Sequence, residues 1–171
     1  GYSVGIQYRV PMLNPRTDQM IYSAGVVNEK TSISDSTISK VGASLNYSRG
    51  FWRKSIALTY QHEDFIVGSD QGLAKLLIPS RNLSRIWGNN FIYTLDGLRF
   101  DIGLRGANDK LLSDNSFTQL QSGIKAISSL GQNHRIIARG RLGTTWTDEF
   151  NQLPSSVRFF AGGAQSVRGY S

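Results

Sequence analysis

The sequence predicts an all-β chain: an antiparallel up-and-down sheet of about eight strands that forms part of a transmembrane β-barrel. Three observations carry this reading. Apolar and polar residues alternate with period two along most of the 171 residues. Aromatic side chains gather near the ends of the alternating runs. The connections alternate between short, turn-rich segments and longer polar ones.

The first run, GYSVGIQYRV, sets Tyr2, Val4, Ile6, Tyr8 and Val10 on one face and Ser3, Gly5, Gln7 and Arg9 on the other. A second strand follows over roughly 19–30. KVGASLNYS, in the third, opposes Val41, Ala43, Leu45 and Tyr47 to Gly42, Ser44, Asn46 and Ser48. In the fourth, SIALTYQ opposes Ile56, Leu58 and Tyr60 to Ser55, Thr59 and Gln61. The fifth contains Pro79, which removes a ladder donor and so marks a bulge, an edge or a break. LRFDIGLRG opposes Leu98, Phe100, Ile102 and Leu104 to Arg99, Asp101, Gly103 and Arg105. A seventh strand precedes HRIIARGRLG, which opposes Ile136, Ala138 and Leu142 to Arg135, Arg139 and Arg141. Strict alternation is the strand signal, because successive side chains point to opposite faces. The expected strands span roughly 1–12, 19–30, 40–48, 54–66, 75–94, 98–107, 117–128 and 133–147.

LNPRTD, RGFWR, LDG and SLGQN read as short turns, whereas NEKTSISDSTIS, VGSDQG and ANDKLLSDNS read as long loops. In an up-and-down sheet alternate connections lie at opposite ends, so one end carries tight turns and the other long loops. Outer-membrane barrels have this asymmetry. A soluble sandwich or barrel would share the alternation. Strand length favours the membrane, being near the ~9–11 residues that cross a tilted bilayer. So does a polar face of Gly, Ser, Gln and scattered Arg with few Lys–Glu pairs. An interfacial girdle would use Tyr2, Tyr22, Phe51, Trp52, Phe65, Trp87 and Trp146.

The formal net charge is +7, from 19 Lys+Arg and 12 Asp+Glu, yet no basic run marks a nucleic-acid surface. The charge is explained if the polar face lines a lumen. That lumen would carry Arg9, Arg99, Arg105, Lys125, Arg135, Arg139 and Arg141, opposed by Asp101 alone. Such a wall either solvates a pore or attracts acidic loops or substrates. With no cysteine, disulfides and thiolate metal sites are excluded. No apolar run approaches the ~18 residues of a membrane-crossing helix, which leaves strands unaffected. His62 and His134 lack zinc spacing, and His62-Glu63-Asp64 reads as a polar strand end just outside the membrane. GxSxG, GxGxxG and a P-loop are missing, so no catalytic residue, metal or cofactor is expected.

The final stretch, FFAGGAQSVRGYS, is unusual for a solvent loop. Phe159 and Phe160 favour burial. Gly162 and Gly163 permit close backbone approach. Arg168 offers a planar five-donor fork suited to a carboxylate. These features describe a loop that folds back and anchors inside something.

FFAGGAQSVRGY resembles the sixth-loop signature of the BamA/TamA superfamily of outer-membrane assembly and secretion barrels, the bacterial surface antigen family. Its elements here are Gly162, Gly163, Val167, Arg168, Gly169 and Tyr170. LLSDNSFTQLQSGIKA, RIIARGRLGTTW and LPSSVRFFAGG are similar to the TamA branch in particular. The resemblance implies a barrel of about sixteen strands behind periplasmic POTRA domains, with residues 1–171 supplying about the fourth to eleventh strands and the start of the sixth loop. The chain then reads as a piece of a longer protein, without POTRA domains or the remaining strands. Arg168 is expected to enter the lumen and meet an acid beyond the chain, with Gly169 and Tyr170 around it. The implied activity is assembly of outer-membrane proteins, autotransporters among them, in a Gram-negative outer membrane. Implied partners are outer-membrane lipid, client barrel proteins and a periplasm-spanning TamB-like protein, with no nucleic acid and no enzyme chemistry. A two-partner secretion pore and a passive channel are the competing readings, and a soluble β-domain that binds acidic partners is a fourth.

Overall fold

The computed structural model describes residues 1–30, 34–67, 70–88, 96–131, 134–147 and 153–158. Eight strands form one open antiparallel sheet in chain order, with β1 and β8 at its edges. They are β1 (Tyr2–Pro11), β2 (Gln19–Lys30), β3 (Ser34–Arg49), β4 (Trp52–Val67), β5 (Asp70–Gly88), β6 (Gly97–Ala107), β7 (Phe117–Leu130) and β8 (His134–Trp146). A 3-10 turn, Ser155–Val157, follows β8 among the described residues.

The register assigns the faces. Tyr8 pairs Tyr22, Val41 pairs Tyr60, Leu83 pairs Ile102 and Ala126 pairs Ala138, all on the apolar face. Most of that face is exposed, including Val4, Ile6, Leu58, Leu104 and Leu142. An alternating sheet with an uncovered apolar face is what lipid contact requires of a barrel wall.

Two of the three expected long loops are mostly strand. β3 begins at Ser34, not near residue 40, and pairs with β2 out to Lys30–Asp35. β5 begins at Asp70, not near 75, and pairs with β4 out to Val67–Asp70. The cause is chemical. At this end polar residues enter the outward positions: Asp35, Thr37 and Ser39 on β3, His62 and Asp64 on β4, and Gln71 and Lys75 interleaved with Leu73 and Leu77 on β5. The period-two contrast weakens there while the ladder continues. Only ANDKLLSDNS remains a long connection. At the other end β5 is described to Gly88, and its expected extension to residue 94 lies outside the described residues.

Pro79 does not interrupt β5. It ends the β5–β6 ladder, whose last pair is Ser80–Arg105, while pairing with β4 continues through Leu58–Pro79. Beyond it the freed edge of β5 is sealed by the β6–β7 loop. Leu77 N donates to Ser113 Oγ (2.9 Å) and Lys75 N to Asp114 Oδ2 (2.7 Å), while Asp114 N donates to Lys75 O (2.8 Å). Residues 75, 77 and 79 turn their backbone groups to the same side, so the proline stands where a donor would have no β6 acceptor.

At the hairpin end, the β1–β2 and β3–β4 turns are tied together by Asp18. Its carboxylate accepts from Arg49 Nη1 at 2.9 Å and from Ser48 N at 3.3 Å. The Arg49 hydrogen bond, then that of Thr17, holds the Asp18 carboxyl below the usual carboxylate range, against an opposing effect of burial.

A candidate loop dock on the polar face

All seven cations expected to line a lumen share the polar face. Arg99, Lys125 and Arg139 stand side by side across β6, β7 and β8. Arg105 pairs Gln119, Arg135 pairs Ser129, and Arg9 pairs Ile21 on the same side of the sheet. Asp101 grips Arg99 at 2.8 Å. Gly123 separates Asp101 from Arg141. A Cβ there would sit 4.0 Å from Asp101 Cβ and 3.9 Å from Arg141 Cγ, so the glycine leaves the two side chains facing across an open position. Lys40 and Arg53 also belong to this face, by their pairing with Gln61 and Ser48.

Asp101 is not the only acid there. Glu29 lies on the polar face of β2 and Glu63 on that of β4. Glu63 is the more informative correction, because it is fully buried rather than solvated at a strand end. His62 and Asp64 point outward on either side of it, so the three residues form no acid–base cluster. Phe65, expected in the aromatic girdle, also turns to the polar face. Its ring lies over Gly72, where a Cβ would approach to 3.0 Å.

Glu63 is buried by the segment after β8. Its Oε1 accepts from Ser36 Oγ (3.1 Å) and Ser156 N (3.3 Å), and its Oε2 from Gln61 Nε2 (2.9 Å) and Ser156 Oγ. Gln61 Nε2 also donates to Ser156 Oγ at 2.6 Å. A second clamp stands on β7. Gln119 Nε2 donates to Val157 O and to Thr145 Oγ1 (2.9 Å), while its Oε1 accepts from Arg105 Nε at 2.7 Å. One of the expected lumenal arginines thus orients the amide that holds the segment.

Between the clamps lies a small apolar core on the largely polar face. Leu153 and Val157 pack against Leu76, Ile78 and Phe117, with Ala107 at the margin. The segment closes on itself through Val157 N to Pro154 O (3.1 Å) and Arg158 Nε to Leu153 O (2.7 Å). Burying a leucine and a valine contributes roughly 1.5–3 kcal/mol each. Each clamp hydrogen bond to the carboxylate adds roughly 1.5–3 kcal/mol.

The sequence carried a readable trace of this dock. Leu76 and Ile78 put two large apolar residues in succession on a face that β5 continues with Ser80, Asn82 and Ser84, and LPSSV supplies two apolar residues around serines. Neither feature names its partner, since the contacts join residues more than 70 positions apart. The signature residues Gly162, Gly163, Val167, Arg168, Gly169 and Tyr170, and Phe159 and Phe160 before them, lie outside the described residues. The described part of the loop ends at Arg158, already against the polar face.

A family model described as the Omp85 superfamily domain matches residues 2–171.

Proposed function

Because this chain belongs to the Omp85 superfamily of outer-membrane insertion and secretion proteins, we propose that it is part of the barrel of a TamA-like assembly factor that promotes insertion of autotransporter-type proteins. The observation that carries the reading is the inward docking of Leu153–Arg158 on the polar face, immediately before the GG…VRGY sequence. In this reading the eight strands are the fourth to eleventh of about sixteen, and POTRA domains precede them. Arg168 takes the role of the sixth-loop arginine, which enters the lumen and meets a carboxylate on a later strand.

Assembly of this kind needs no covalent chemistry. A client strand adds to an exposed strand edge, and main-chain hydrogen bonds supply the affinity. The loop would brace the wall while the seam opens. A TamB-like protein would deliver or stabilise clients from the periplasm.

The Arg99–Lys125–Arg139 row supports a second reading, a two-partner secretion pore that passes one acidic substrate along its wall. Deletion of the full-length gene, complemented by wild type or by Arg168→Ala, separates the two. The assembly reading expects autotransporter passengers to vanish from the cell surface without wild type and to return only weakly with the variant. Loss of a single secreted protein, with autotransporter display intact, would overturn it in favour of the pore.

A further inference from the structure

Cations on the lipid-facing side of the sheet are few and unevenly placed. The outward positions of β1, β6 and β7 carry none. β8 contributes no Lys or Arg, and at the loop end stand Lys30 of β2, paired with Asp35, and Lys75 of β5. In the half of the sheet nearer the hairpin turns, outward cations collect on three neighbouring strands. They are Arg49 on β3, Lys54 on β4, and Arg81 and Arg85 on β5. Arg49 is taken by Asp18. Lys54, Arg81 and Arg85 form no ion pair among the described residues.

The register brings these three together. Lys54 pairs Leu83, which lies between Arg81 and Arg85 on the same face of β5, so Lys54 is diagonal to both arginines. Aromatic rings surround the group. The Arg85 guanidinium carbon is 4.5 Å from the centre of the Trp87 ring, 5.2 Å from Phe51 and 5.6 Å from Trp52. Lys54 Nζ is 6.0 Å from the Tyr47 ring centre. Arg85 Nε is buried with no hydrogen-bond partner. An arginine facing lipid costs roughly 2–4 kcal/mol at the midplane and little near the interface. Ring faces stabilise the Arg85 cation but leave its donors unsatisfied. Three cations, no carboxylate and a platform of interfacial aromatics are complementary to an anionic phosphodiester at headgroup depth.

We propose that Lys54, Arg81 and Arg85, framed by Phe51, Trp52 and Trp87, form a binding site for an anionic phospholipid in the leaflet at the hairpin end of the barrel. The phosphate sits between Lys54 and Arg85, and Arg81 reaches down to it from the hydrocarbon side by extending its methylene stem. The acyl chains run up the wall over Ile56, Leu58 and Leu104. The site fixes a lipid to β4 and β5, the strands that also carry Glu63 and Leu76 of the loop dock. It rests on the sheet spanning a bilayer and not on the identity of any client.

The test uses the full-length protein in vesicles of equal phosphatidylglycerol and phosphatidylethanolamine, extracted gently and examined by native mass spectrometry. Folding is read from the heat-dependent gel shift. Wild type should retain phosphatidylglycerol over phosphatidylethanolamine by about tenfold. A Lys54→Gln/Arg81→Gln/Arg85→Gln variant should lose the preference. A polar-face variant with the same charge change, Arg99→Gln/Lys125→Gln/Arg139→Gln, should keep it. Should the first triple variant not fold, Arg85→Gln alone carries the comparison and should lower the preference about threefold. Equal retention of the two lipids by wild type, or equal loss in both triple variants, overturns the proposal. Failure of wild type to insert into vesicles would instead overturn the membrane reading beneath it.

Discussion

The edges of this sheet and its middle are built from the same alternating pattern and end in different states. β1 and β8 are exposed along nearly their whole length on both faces. In the middle, Leu76, Glu63 and Gln119 are completely buried on the polar face. Pairing makes part of this difference, since β1 and β8 are laddered on one side only and the inner strands on both. Full burial on the polar face comes from elsewhere: one segment of six residues, 153–158, covers β4, β5 and β7. A doubly paired wall strand such as β2 or β6 reaches only intermediate burial. The wall gains full burial where a loop returns to it.

The contrast can be broken most severely at Glu63. Glu63→Ala leaves Ser36, Gln61 and both donors of Ser156 without their acceptor. The full-length protein in micelles should lose about 3 kcal/mol in urea unfolding, and protease should cut near residue 155 well before the barrel opens. Unchanged protection there would mean that the apolar contacts alone hold the segment. Leu153→Ala, which removes an apolar anchor with no hydrogen-bond change, should cost about 2–3 kcal/mol. A loss below about 1 kcal/mol would show that the site collapses around the gap. Gln119→Leu keeps the volume but strands the Val157 carbonyl and Arg105 Nε. It should cost roughly 1–2 kcal/mol and become smaller when combined with Glu63→Ala.

The smallest effect is expected at the opposite end of the molecule. Asp18 binds its proton less readily in the folded chain, so the Asp18–Arg49 tie stabilises above the ordinary carboxylate pKa of 3.8. It is lost as pH falls through the lower folded value. Asp18→Asn should lower Tm slightly at neutral pH, and the gap to wild type should close in acid. A gap that widened in acid would reverse the sign of this linkage.

Face assignment was legible in the sequence because lipid and lumen impose opposite demands on alternate residues. Arg9, Arg99, Arg105, Lys125, Arg135, Arg139 and Arg141 could all be placed on one face by parity alone. Pro79 was legible as a backbone event, though not as the end of one particular ladder. The ends of β3 and β5 were not legible, because polar residues on both faces of β3 erase the period and Gln71 and Lys75 among the outward leucines of β5 blur it. Glu63 was missed for a related reason. With His62 and Asp64 beside it, it looks like one more hydrophilic residue at a strand end. What buries it lies 93 positions away in sequence. Long-range closure of this kind leaves no local signature.

Glu63 lies on the polar face, between outward-facing His62 and Asp64. The clamp on Ser156 is thus carried on the side of the wall opposite the apolar face. A stretch of bilayer that thins or bulges around the barrel changes the surroundings of Leu58 and Leu104, but not those of the carboxylate. The loop is fastened to the mast, not to the deck, and rides out deformations of the membrane that the strands below it feel.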